Sequence, residues 1–224
     1  MSAAAPEQVR IAEQAAVVPT PIVRKLGLVE YSEALAAMRR FTAQRGAETP
    51  DELWLLEHPP VYTLGLGADE AHGPRSPGAI PVLRVERGGE VTYHGPGQLV
   101  VYTLVDIGRS GIKVREFVRR LEQSLIDLLA AYGVWAERRQ GAPGVYVAGA
   151  KVAALGVRIS RGCALHGLAL NIDMDLAPFG RIDPCGYPGL AVTQTRDLGI
   201  AADINELGTG IARHLLAHLG RSHA

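Results

Sequence analysis

The chain has 224 residues, 47% of them apolar, which fits one domain with a packed core and is too apolar for a disordered segment. Lysine plus arginine and aspartate plus glutamate both number 23, so no global positive field draws the protein to nucleic acid or to an anionic membrane. Cys163 and Cys185 cannot supply the spaced quartet of a structural zinc site, and His94, His166 and a cysteine are too scattered to suggest another metal centre.

In chain order, residues 1–22 are rich in Ala, Pro and Gln and are interrupted by Glu7, Arg10 and Glu13. They have no period and lack the apolar run of a signal peptide, so they read as a flexible extension ahead of one domain over 23–220. No stretch approaches a membrane span. The protein is therefore expected in the cytoplasm, where thiols stay reduced. Across 30–45, Tyr31, Leu35, Met38 and Phe41 recur every three or four residues, the pattern of a helix with one buried face. LWLLEH and VYTLG read as strands, broken at His58, Pro59 and Pro60 because a proline pair cannot continue a ladder. A Gly- and Pro-rich loop over 65–81 follows, and PVLRVER and QLVVYTLV return as strands.

Residues 113–132 place Val114, Phe117, Val118, Leu121, Leu125, Leu128 and Leu129 on one helical side, with Gly133 as the stop. GVYVAGAKVAALGVRIS and ALHGLALNID read as β-structure, punctuated by Gly149 and by Arg161 with Gly162. A last helix covers 204–219. Strands mixed with few helices predict an α+β domain, a mixed β-sheet flanked by helices.

Three places could carry chemistry. RGGEVTYHGPGQ, residues 87–98, holds four glycines that let backbone come close to a ligand, but it lacks the Lys and Ser or Thr of a phosphate loop. It suits a wall for a thin apolar ligand, with a hairpin corner holding a satisfied His94 as the bland alternative. Lys151 shares a strand face with Ala153, Leu155, Val157 and Ile159, where partial burial would suit it to proton transfer and snorkelling to water is the ordinary outcome. On the next strand, Leu165, Gly167, Ala169 and Asn171 take one face and His166, Leu168, Leu170 and Ile172 the other, and Gly167 and Ala169 leave room for a ligand chain. Cys185 lies between Pro184 and Gly186, which puts a thiol on a loop. Cys163, at a turn, reads as incidental.

RGGEVTYHGPGQLVVY, AKVAALGVRISRGCALHGLALNI and PCGYPG together resemble the octanoyl-[acyl carrier protein]:protein N-octanoyltransferase family, also called lipoyl(octanoyl) transferases. The likeness runs in order from LLEHPPVYTLG to VTQ. It implies the α+β fold of biotin and lipoate protein ligases, with an acyl chain held between sheet and glycine-rich loop. It implies that Cys185 is the acyl-thioester nucleophile and Lys151 the residue that favours its thiolate and shuttles protons. Three substrate-binding segments follow from the same resemblance: Arg87, Gly88, Gly89, Glu90, Val91, Thr92, Tyr93 and His94; Ala154, Leu155 and Gly156; and Gly167, Leu168 and Ala169.

The implied reaction moves an octanoyl group from octanoyl-acyl carrier protein through a cysteine thioester to a lysine ε-amine. The acceptors are lipoyl domains of 2-oxoacid dehydrogenase E2 subunits and the glycine cleavage H protein. Thioester exchange is nearly thermoneutral, so no cofactor and no ATP are expected. A monomer is expected, with Arg84, Arg87, Arg158 and Arg161 as a basic patch toward acidic partners. The rival readings are an ATP-dependent lipoate or biotin ligase, which needs no thiol at position 185, and a non-catalytic acyl binder, which needs neither Lys151 nor Cys185.

Overall fold

The period-2 and period-3.6 patterns resolve into nine strands and three α-helices in a computed structural model that describes residues 21–69, 73–183 and 187–220. Cys185 and the expected extension up to residue 20 lie outside these residues. The strands are β1 Ile22–Leu28, β2 Glu52–Glu57, β3 Val61–Leu64, β4 Val82–Arg84, β5 Val91–His94, β6 Gln98–Leu104, β7 Gly144–Val147, β8 Ala150–Ser160 and β9 Cys163–Asn171. The helices are α1 Tyr31–Gln44, α2 Val114–Ala131 and α3 Ile204–His218. Six strands form a mixed sheet in the order β1-β2-β6-β9-β8-β7, and three form a smaller one in the order β4-β3-β5.

LWLL and LVVY are nearly continuous apolar runs because β2 and β6 are covered on both faces. Leu53, Leu55, Leu99 and Val101 pack with Leu121, Leu125 and Leu128 of α2 and Leu207, Ile211 and Leu215 of α3. Trp54, Leu56, Val100 and Tyr102 meet Ala34 and Met38 of α1 on the other face. Gly133, at φ +76°, ends the second helix where the sequence places its stop.

The chain crosses between the sheets twice. His58 to Pro60 carries it from β2 to β3, and Gly95 to Gly97 carries it back from β5 to β6. The crossings are tied together, since the Gly97 N–H donates to the Glu57 carboxylate at 2.7 Å. The glycine-rich pattern around Val91–His94 predicts a loop there. The segment is instead a buried strand paired with β3, with Tyr93 against Tyr62 and Phe179. The sequence also predicts no strand at Ile22–Leu28, which is exposed along its whole length and so shows no apolar alternation. That strand pairs in parallel with β2 and is held by Arg24, which donates twice to Glu52 at 2.6 and 2.7 Å.

Candidate functional site

Between the glycine segment of residues 87–94 and strands β8 and β9 lies a cavity of about 400 Å³. Arg87, Gly88, Gly89, Glu90, Val91, Thr92 and His94 line it from one side, and Ala154, Leu155, Gly156, Gly167, Leu168 and Ala169 from the other. Lys151 and Asn171 lie toward one end of these strands and His166 toward the other. Tyr93 does not line the cavity: alternation along β5 turns its ring into the core of the small sheet.

Two glycines let the walls approach. The strands pair Gly156 with Gly167, and the Gly88 N–H donates to the Val157 carbonyl at 2.9 Å, closing the glycine segment onto the sheet. A Cβ on Gly156 would lie 2.9 Å from the Gly88 carbonyl oxygen. One on Gly167 would lie 2.1 Å from the Val101 carbonyl oxygen. Gly167 thus makes room for the backbone of β6 as well as lining the cavity.

Arg87 is 7% exposed and its guanidinium donates inward, to the Thr63 carbonyl and hydroxyl at 2.7 and 2.9 Å and to the Gly88 carbonyl at 3.0 Å. It shapes the glycine segment and has no place in a surface patch, whereas Arg84, Arg158 and Arg161 are exposed.

Lys151 is 4% exposed, so it does not snorkel to water. Its ammonium lies over the Tyr146 ring at 5.5 Å from the centroid, and its stem fits under Gly144, where a Cβ would stand 2.4 Å from Cε. Behind Gly144 is Glu122 of α2, whose carboxylate accepts from the Gly144 N–H and from Arg138, both at 3.1 Å. Burial pushes the Glu122 carboxyl up, against the pull of Gly144, Arg138 and Lys151. The returning chain is zipped to the same lysine. The Lys151 N–H donates to the Ala191 carbonyl at 2.8 Å, and the Thr193 N–H donates to the Lys151 carbonyl at 2.9 Å. The stretch that follows Tyr187 therefore closes on the lysine end of the cavity.

A polar, neutral cluster runs along the cavity from Asn171 toward His166. His58 meets the Val29 carbonyl at 2.6 Å and the Tyr102 hydroxyl at 2.7 Å. The carbonyl can only accept, so Nδ1 carries the proton and Nε2 accepts from Tyr102. Tyr31 in turn bonds to Tyr102, and burial pushes the Tyr31 phenol up to about 12. His94 meets Gln98 Oε1 at 2.7 Å, while the Gln98 amide donates to Asn171 at 2.9 Å. Burial and then the neighbouring His58 lower His94 to about 3, and burial lowers His58 to about 4. All three stay uncharged at neutral pH.

His166 departs from the expected alternation. Its backbone has φ +63°, and its ring stands edge-on to Tyr102 at 6.0 Å, on the face that carries Ala169 rather than with Leu168 and Leu170. A left-handed residue inside a strand re-aims its side chain, and no periodicity can announce it. Sequence reasoning also passed over Tyr31, His58 and Tyr102 as functional candidates. They sit in ordinary helix and strand patterns, and only His58, directly before two prolines, carried a local signal. Among the described residues no three His, Cys, Asp or Glu side chains converge as a metal site.

The Lipoyl protein ligase A/B catalytic domain family matches residues 30–215. The octanoyltransferase of Dechloromonas aromatica is 56% identical over 203 residues, which cover 91% of this chain and 98% of that protein. The octanoyltransferase of Thiobacillus denitrificans is 61% identical over 182 residues, 81% of this chain and 83% of that protein. A bi-partite lipoate protein ligase from Thermoplasma acidophilum superposes with a TM-score of 0.71 at 14% identity, covering 91% of this chain and 85% of that one. At that identity the last likeness is one of fold.

Proposed function

Because the chain belongs to the Lipoyl protein ligase A/B catalytic domain family and aligns along most of its length with octanoyltransferases, we propose that it transfers an octanoyl group between proteins through Cys185. The donor is octanoyl-acyl carrier protein. The acceptors are lysines on lipoyl domains of 2-oxoacid dehydrogenase E2 subunits and on the glycine cleavage H protein. The catalytic unit is residues 23–220, it acts as a monomer, and it works in the cytoplasm, where a thiol nucleophile stays reduced.

The observation that carries this reading is a buried lysine amine in the wall of an otherwise largely apolar cavity. A mere acyl binder has no use for it. The Cys185 thiolate, paired with the Lys151 ammonium, attacks the thioester carbonyl; the carbon–sulfur bond to the carrier breaks, and Lys151 gives its proton to the departing thiolate. The acceptor amine then attacks the octanoyl-cysteine, passes a proton to the now neutral Lys151, and releases the Cys185 thiolate. Each half exchanges one acyl bond for another of equal or lower energy, so ATP has no part in it. The segments 87–94, 154–156 and 167–169 hold the acyl chain.

The test is transfer in a defined mixture of this protein, octanoyl-acyl carrier protein and a lipoyl domain without nucleotide. A gain of one octanoyl mass on the lipoyl domain is expected; a strict requirement for ATP and free acid would support the ligase reading instead.

A further inference from the structure

Three histidines border or underlie the polar side of the cavity, and one differs from the others in how its nitrogens are used. His58 and His94 have protein partners at their ring nitrogens. His166 has none at either nitrogen among the described residues, although only 2% of its surface is exposed and it lines the cavity. A buried imidazole that stays unsatisfied is costly, so its hydrogen-bond partners have to come from what occupies the cavity.

Its position along the strands gives that a meaning. The Lys151 side chain runs under Gly144, which pairs with Ala154, so the amine lies level with Ala154. His166 pairs with Val157, three residues further along β8, which is roughly 10 Å. An eight-carbon acyl chain has seven carbon–carbon bonds, the span of a little over two extended residues, roughly 8 Å. An octanoyl group whose carbonyl lies at the lysine therefore brings its methyl end to about the level of His166 along the strands.

We propose that His166 is a specificity-determining residue that ends the acyl site at eight carbons. A longer alkyl chain presses its methyl end against the two ring nitrogens and displaces the solvent that meets them when a shorter chain is bound, without replacing its hydrogen bonds. Rejection of this kind is stronger than an apolar wall can give, because a lost buried hydrogen bond adds to any steric misfit. The backbone at φ +63° is what turns this histidine to the cavity face. This inference rests on the acyl-transfer reading above and deepens it.

The experiment compares kcat/KM for octanoyl-, decanoyl- and 10-hydroxydecanoyl-acyl carrier protein with wild type, His166→Leu and His166→Gln. Wild type is expected to prefer octanoyl over decanoyl by at least about tenfold. The hydroxyl of 10-hydroxydecanoyl, which can bond to the imidazole, recovers most of that loss. His166→Leu reduces the octanoyl-over-decanoyl preference severalfold, read as the ratio of kcat/KM values whatever the change in octanoyl transfer itself, and His166→Gln keeps it. Equal loss for all three donors in His166→Leu means a structural role and overturns the proposal. A hydroxyl that brings no recovery in wild type overturns it too, without recourse to any variant. Absence of transfer with every donor overturns the functional reading and this inference with it, whereas transfer with unchanged selectivity overturns the inference alone.

Discussion

A lysine with 4% of its surface exposed is held against the cost of burying charge by an aromatic face and a carboxylate behind Gly144, a place where chemistry rather than stability explains the residue type. Lys151→Met keeps the stem and removes the amine. It is expected to lower octanoyl transfer roughly 10²–10⁴-fold, the range of a lost proton carrier, while the melting temperature holds or rises; a variant that is both active and less stable contradicts the assignment. The histidines make a second prediction, about pH. Their folded values are lowered to about 4, 3 and 4 for His58, His94 and His166, below the ordinary 6.5. The unfolded chain therefore binds protons that the native one refuses as pH falls below 6.5. Stability is full above that value and is lost toward pH 4, by about 1.4 kcal/mol per pH unit for each histidine. Urea unfolding at pH 7.5, 6 and 5 checks this, and equal unfolding free energies at all three are the contrary result. At this scale the sequence singled out Lys151 because a lysine is out of place on an apolar strand face, but it could not orient His166, whose direction depends on one backbone angle.

The elements were most legible where one face is buried and the other wet. The first, second and third helices all show a 3.6-residue stripe and end within a residue or two of where that stripe stops. The strands were legible as apolar runs, but not which sheet each joins, because pairing partners lie far apart in sequence. The fifth strand was hidden among glycines, and the first by its exposure on both sides. Glycine itself reads ambiguously: it can mark a turn, a ligand wall or a close backbone contact. For Gly167 the contact decides, since a Cβ would meet the Val101 carbonyl oxygen at 2.1 Å. Gly167→Ala has to push β6 and β9 apart and is expected to cost roughly 3 kcal/mol of stability, with activity falling alongside. Urea denaturation measures it; an unchanged midpoint means that the strands yield more easily than their packing suggests.

At the scale of the whole molecule, two sheets joined at two crossings leave a cavity with an amine and a returning loop at one end and a wall of neutral histidines and tyrosines. The α+β class and the flanked mixed sheet could be read from the pattern of elements, and the ligase-like fold from the ordered motifs, but the cavity could not, because it arises where segments distant in sequence close on one another. Among the described residues no helix is long and apolar enough to cross a membrane. The central claim is that the acyl group passes through Cys185, and intact mass spectrometry tests it most directly. Wild type and Cys185→Ala are each incubated with octanoyl-acyl carrier protein alone, then given a lipoyl domain. The account predicts one octanoyl adduct on wild type that moves to the lipoyl domain and never forms on the variant. Transfer by Cys185→Ala at the wild-type rate would contradict it.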